Sequence, residues 1–117
     1  MIKLPFNPGA SADQVFSALI PEQLVMSIHL VWNDRAGSWF LGVSSSDKKI
    51  EGLRVVQRWP LLREHAALSP IKGDLIVLPL THPAPKVIGY DDLGSTWGLF
   101  WMSPDDVKRW EAANGMG

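Results

Sequence analysis

The chain has 117 residues, 46% hydrophobic and 20% charged, a balance that fits one compact domain with its own core and excludes a disordered or collagen-like chain. Eleven basic against twelve acidic side chains leave a net charge of −1, without the basic excess of a polyanion binder, so nucleic acid and membrane surfaces are poor partners. Cysteine is absent, which excludes disulfides, thiolate metal sites and cysteine nucleophiles.

Ten Gly and nine Pro punctuate short apolar runs, the grain of an all-β domain. The N-terminus, Met1–Pro8, is interrupted by Asn7 and Pro8 and lacks the continuous apolar core of a cleaved signal peptide. No apolar run approaches the roughly 20 residues that span a bilayer. The expectation is a chain neither exported by a cleaved signal nor inserted in a membrane.

An extended lead-in at Ile2–Phe6 precedes a first strand at Gln14–Ile20, closed by a turn at Pro21–Glu22. From Leu24 the pattern alternates: Leu24, Met26, Ile28, Leu30 and Trp32 share one face, and Val25, Ser27, His29, Val31 and Asn33 the other. Asn33 to Gly37 supplies turn chemistry, and Ser38–Ser44 returns with Trp39, Leu41 and Val43 on one face, which predicts a hairpin. Ser44–Lys49 reads as a polar loop tip and Ile50–Trp59 as a further strand. Pro60 suits the first position of a helical turn through Leu61–Ala67. Gly73–Leu78 is a short β-rich run, Thr81–Pro85 a rigid Pro-rich connection, and Ser95–Met102 alternates again with Trp97, Leu99 and Trp101 on one face.

The last element differs. Ser103-Pro104-Asp105-Asp106 combines a cap residue, a first-turn Pro and acids that complement the helix dipole. Asp105 and Arg109 stand at i,i+4, and Asn114-Gly115 ends the helix. The predicted architecture is all-β, a small β-barrel or β-sandwich of about six or seven strands with a C-terminal α-helix docked through Trp110. Residues 1–102 form the β-rich domain and 103–117 the helix packed on it.

Chemistry-bearing residues have simpler explanations. Trp32, Trp39, Trp97 and Trp101 fall on alternating apolar faces and read as core, which leaves Trp59 and Trp110 as the better candidates for a protein interface. His29, His65 and His82 match no compact zinc motif. Asp105-Asp106 reads as helix N-terminal charge, and Asp91-Asp92 before Leu93-Gly94 reads as a turn. Ser44 to Ser46 lacks a nucleophile elbow, and Gly73-Asp74 leads into a strand instead of a phosphate-cradling helix. No catalytic, cofactor or metal residue is assigned. The mainly basic Lys48–Lys72 and mainly acidic Asp91–Gly117 stretches read first as ordinary solvated charge, with steering of docking between protein surfaces as the alternative.

One ordered set of motifs goes further. Leu4-Pro5-Phe6 is followed by Trp32-Asn33-Asp34-Arg35-Ala36-Gly37-Ser38-Trp39-Phe40-Leu41, then Leu61-Leu62, Gly73-Asp74-Leu75, Asp91-Asp92-Leu93-Gly94 and Leu99-Phe100-Trp101. Over about residues 2–102 this order resembles the phage baseplate plug family, small structural proteins of contractile-tailed bacteriophages. The helix from Ser103 looks like an addition beyond the usual core. The resemblance implies a non-enzymatic virion protein near the tail axis, assembled in the host cytoplasm. Its implied partners are the hub, tube-initiating and wedge proteins of a multi-copy ring, and its implied role is to hold the pre-contraction baseplate. Arg35, projecting from the hairpin tip, joins Trp59 and Trp110 as interface candidates. A carbohydrate- or ligand-binding β-domain using exposed Trp residues is the alternative.

Overall fold

The computed structural model describes residues 1–4, 13–19, 25–45, 48–64 and 70–115. Seven strands and one helix run in the order β1 (Ile2–Lys3), β2 (Asp13–Leu19), β3 (Val25–Asn33), β4 (Ser38–Ser45), β5 (Lys48–Arg54), β6 (Asp74–Pro79), β7 (Trp97–Met102) and α1 (Pro104–Ala113). The strands form two sheets, β2-β3-β4-β5 and β1-β7-β6, and every neighbouring pair is antiparallel.

Alternation in the sequence becomes a shared core. In β3 and β4, Ile28 pairs with Val43, Leu30 with Leu41 and Trp32 with Trp39. In β6 and β7, Leu75 pairs with Trp101 and Val77 with Leu99. Period two puts each set on one face, and these side chains join a single buried cluster, with Trp32 packed at its margin. Met26, Ile28, Leu30, Leu41, Leu75 and Val77 are wholly withdrawn from water. Burying each such side chain contributes about 1.5–3 kcal/mol, so the facing sheets are the main source of stability.

The sheets do not close into a barrel. Closure needs continuous hydrogen bonding around the ring; here the chain turns a corner between sheets instead. The Val55 N–H donates to the Trp39 carbonyl of β4 at 2.9 Å, and the Arg58 N–H donates to the Val77 carbonyl of β6 at 2.8 Å. Gln57 also forms a parallel bridge with Val77. This corner corrects the expected strand Ile50–Trp59, which ends at Arg54. Positive φ at Arg58 (61°), beyond the end of β5, turns the backbone away from extended geometry. The expected helical turn after Pro60 is observed as a short turn over 61–64, and 65–69, with His65, lie outside the described residues. So do the turn at Pro21–Glu22, Leu24 and part of the loop after Ser45.

Helix α1 begins with a capping box. The Asp106 N–H donates to Ser103 Oγ, and the Ser103 N–H donates to Asp106 Oδ2, each at 3.1 Å. The other oxygen of Asp106 accepts from Arg109 Nη2 at 2.7 Å. The expected Asp105–Arg109 pair is therefore replaced by an i,i+3 pair, because Asp106 is the acid that the cap fixes in place and Asp105 is left in solvent.

Candidate protein interface

Two surface features are built with fixed side chains: the β3–β4 tip and the seat of α1. At the tip, Asn33 Oδ1 accepts the Ala36 N–H at 3.0 Å, and the Asn33 carbonyl accepts the Gly37 N–H at 2.8 Å. Gly37 has φ +62°, a conformation glycine adopts without steric cost. Trp32 Nε1 donates to Asp34 Oδ1 at 2.6 Å and ties the tip to its own strand. Arg35 is exposed at this tip and has no ion-pair partner among the described residues.

Three rings support the tip from below. Trp32 meets Trp39 edge-on with centroids 5.6 Å apart, Tyr90 stacks on Trp39 at 5.5 Å and 15°, and Tyr90 meets Trp32 edge-on at 5.7 Å. Such contacts contribute about 0.5–1.5 kcal/mol each beyond the area they bury. Tyr90 was not singled out in the sequence, yet it joins the hairpin to the 80–96 loop. Asp92 organises that loop. Its Oδ2 accepts the Gly89 N–H at 2.7 Å, its Oδ1 accepts Thr96 Oγ1 at 3.0 Å, and its carbonyl accepts the N–H groups of Thr96 and Trp97 at 3.0 Å. Both carboxylate oxygens thus serve the turn expected for Asp91-Asp92.

At the seat of α1, Trp59 and Trp110 are brought together, edge-on at 5.3 Å and 89°. The Arg63 guanidinium lies 5.7 Å from the Trp110 ring centroid, and its Nη1 donates to Glu111 Oε2 at 3.0 Å. Both tryptophans are half-buried, each covering part of the other. Arg35 stands apart from them on the hairpin tip.

Asp74 is the buried acid that the sequence reading passed over. It is 5% exposed, and its Oδ1 accepts the N–H groups of Leu62 at 2.8 Å and Leu75 at 2.7 Å. Burial pushes its carboxyl above the ordinary range, against the opposing pull of those two N–H groups and of Arg63. The signal was present: an acid opening a strand whose next three residues are Leu75, Ile76 and Val77. It pins the 61–64 turn to β6.

His29 Nε2 lies 2.6 Å from Asp13 Oδ1 on the outer face of β2 and β3, and His82 is exposed. Among the described residues no three His, Asp or Glu side chains group closely enough to hold a metal ion, and no helix is long and apolar enough to cross a membrane. None of the six tryptophans is exposed: Trp39, Trp97 and Trp101 are buried, and Trp32, Trp59 and Trp110 half-buried.

Two sheets on one core, turns pinned by their own side chains and aromatic contacts bridging separate elements define a small, rigid structural module. Residues 1–104 match the family described as cyanophage baseplate Pam3 plug gp18, and the chain belongs to that family. It is a phage baseplate structural protein. No curated protein matches the chain. Almost all of α1 lies beyond the matched residues.

Proposed function

We propose that this protein is a non-enzymatic connector in the baseplate of a contractile tail. It sits near the tail axis, bridges hub, tube-initiating and wedge proteins, and helps hold the pre-contraction state. It is made in the host cytoplasm and incorporated in several copies as a ring, so that modest contacts sum through closed symmetry. The observation that carries this reading is the family match over residues 1–104. The preorganised β3–β4 tip supports it, because a turn already held by Trp32, Trp39 and Tyr90 loses little conformational entropy on docking. Arg35 is the contact residue of that tip. Trp59 and Trp110 serve a second contact through the outward parts of their rings, beside Arg63 and Glu111.

The test is removal of the protein from an otherwise intact phage. Tails should form without competent baseplates, and supplying the chain in trans should restore infectivity and place it in purified tails. Full infectivity after deletion, or purified tails without this chain, would overturn the reading.

A further inference from the structure

Below the hairpin tip, the corner between the sheets and the 86–88 segment border an open hollow of about 180 Å³. Its walls carry Gly37, Arg54, Val56, Lys86, Val87 and Ile88. Ile88 is buried at 8% exposure, whereas Val56 and Val87 are 41% and 68% exposed. The walls are tied to each other: Gln57 Nε2 donates to the Lys86 carbonyl at 2.6 Å, so the hollow is preformed.

Its charge is one-sided. The chain as a whole is slightly acidic, yet among the described residues the ionisable side chains lining the hollow are Arg54 and Lys86. Both are exposed, and neither has an ion-pair partner among the described residues. Arg35, exposed and unpaired in the same sense, lies two residues from Gly37 on the adjoining tip. The volume falls below the roughly 300–1,000 Å³ of pockets that enclose whole small ligands, and it suits one side chain. Among the described residues the lining holds no aromatic ring on which a base could stack, which disfavours a nucleic-acid strand.

We infer that this hollow receives a short acidic segment of a neighbouring polypeptide, with one aliphatic side chain seated against Val56, Val87 and Ile88 and flanking carboxylates reaching Arg54 and Lys86. Apolar burial supplies the anchor, and the two cations set orientation and exclude basic partners. That the neighbour is another virion protein rests on the baseplate reading; the chemistry of the hollow does not.

The test is titration of the full-length protein with a blocked five-residue peptide carrying leucine between two aspartates, followed through the Val56 and Val87 methyl resonances. Saturable shifts at both valines are expected. The asparagine version of the peptide, and the Arg54→Glu/Lys86→Glu protein, should each bind at least about tenfold more weakly. An unchanged near-UV tryptophan spectrum verifies that the double variant is folded. Unmoved valine resonances, equal binding of a lysine-flanked peptide, undiminished binding by the double variant, or tighter binding of an oligothymidylate would each overturn the inference. The titration needs no virion, so its failure leaves the deletion result standing, and the reverse holds too.

Discussion

Trp59 and Trp110 meet edge to face with ring centroids 5.3 Å apart, joining the segment after the inter-sheet corner to the C-terminal helix. None of the residues of α1 is fully buried, so the helix rests on the sheets without a side chain sunk in the core. It is attached through side-chain contacts: the Trp pair, the Arg63–Glu111 bond at 3.0 Å and the ion pair of the Met1 ammonium with Asp106 Oδ2 at 2.9 Å.

Trp110→Ala should lower unfolding free energy by about 2 kcal/mol, from lost half-buried area and the ring–ring contact. A double-mutant cycle with Trp59→Ala should return a coupling of about 1 kcal/mol by urea denaturation. Additive losses would mean that the rings do not support each other.

Gly73 has φ +80°, and a Cβ built there would run into the Met102 carbonyl oxygen at the end of β7. Two costs coincide, a left-handed backbone and a backbone clash that no side-chain rotation relieves. Gly73→Ala should cost about 2 kcal/mol or more, measured as a lowered urea midpoint with unchanged slope. Gly37→Ala is the useful contrast, since open space surrounds its Cβ position and only the backbone cost of about 1 kcal/mol applies.

Much of this fold was legible because the hairpin strands bury one face each. Met26, Ile28 and Leu30 announce their face by period two, and Trp39, Leu41 and Val43 answer it across the turn. The cap of α1 is likewise local, so Ser103, Pro104 and Asn114 mark its ends directly. The corner at Val55–Arg58 was not legible. Its adjacent Val55 and Val56 favour extended backbone, and only contacts with both sheets reveal that it leaves one for the other. Candidate site residues divide the same way: Arg35 is exposed by its own turn, whereas the Trp59–Trp110 contact and the stacking of Tyr90 depend on distant segments meeting.

Arg35 separates docking from folding. Its side chain is exposed with no ion-pair partner among the described residues, so Arg35→Glu should change stability by no more than about 0.5 kcal/mol. Incorporation into purified tails, quantified by mass spectrometry, should nonetheless fall severalfold. Trp32→Ala should lower both, because the ring supports the tip as well as the core. Undiminished incorporation of Arg35→Glu would remove the hairpin tip from the contact surface.

Asp74 makes stability depend on pH in a direction opposite to that of an ordinary paired carboxylate. Its folded-state pKa is raised above the ordinary 3.8, chiefly by burial, so the fold binds the proton more tightly than the unfolded chain does. The resulting stabilisation is complete below that ordinary value and is lost as pH rises through the raised one. Asp74→Asn keeps an oxygen positioned for the Leu62 and Leu75 N–H groups without the buried charge. The wild-type protein should therefore lose stability relative to Asp74→Asn as pH rises across that window, and the difference should level off above it. Asp74→Ala should be worse at every pH, by about 2–3 kcal/mol, because it leaves two buried donors without an acceptor. Urea unfolding of the three proteins in parallel across the acid range checks both statements. A wild-type advantage over Asp74→Asn that grows with pH would show that the N–H groups and Arg63 outweigh burial at this site.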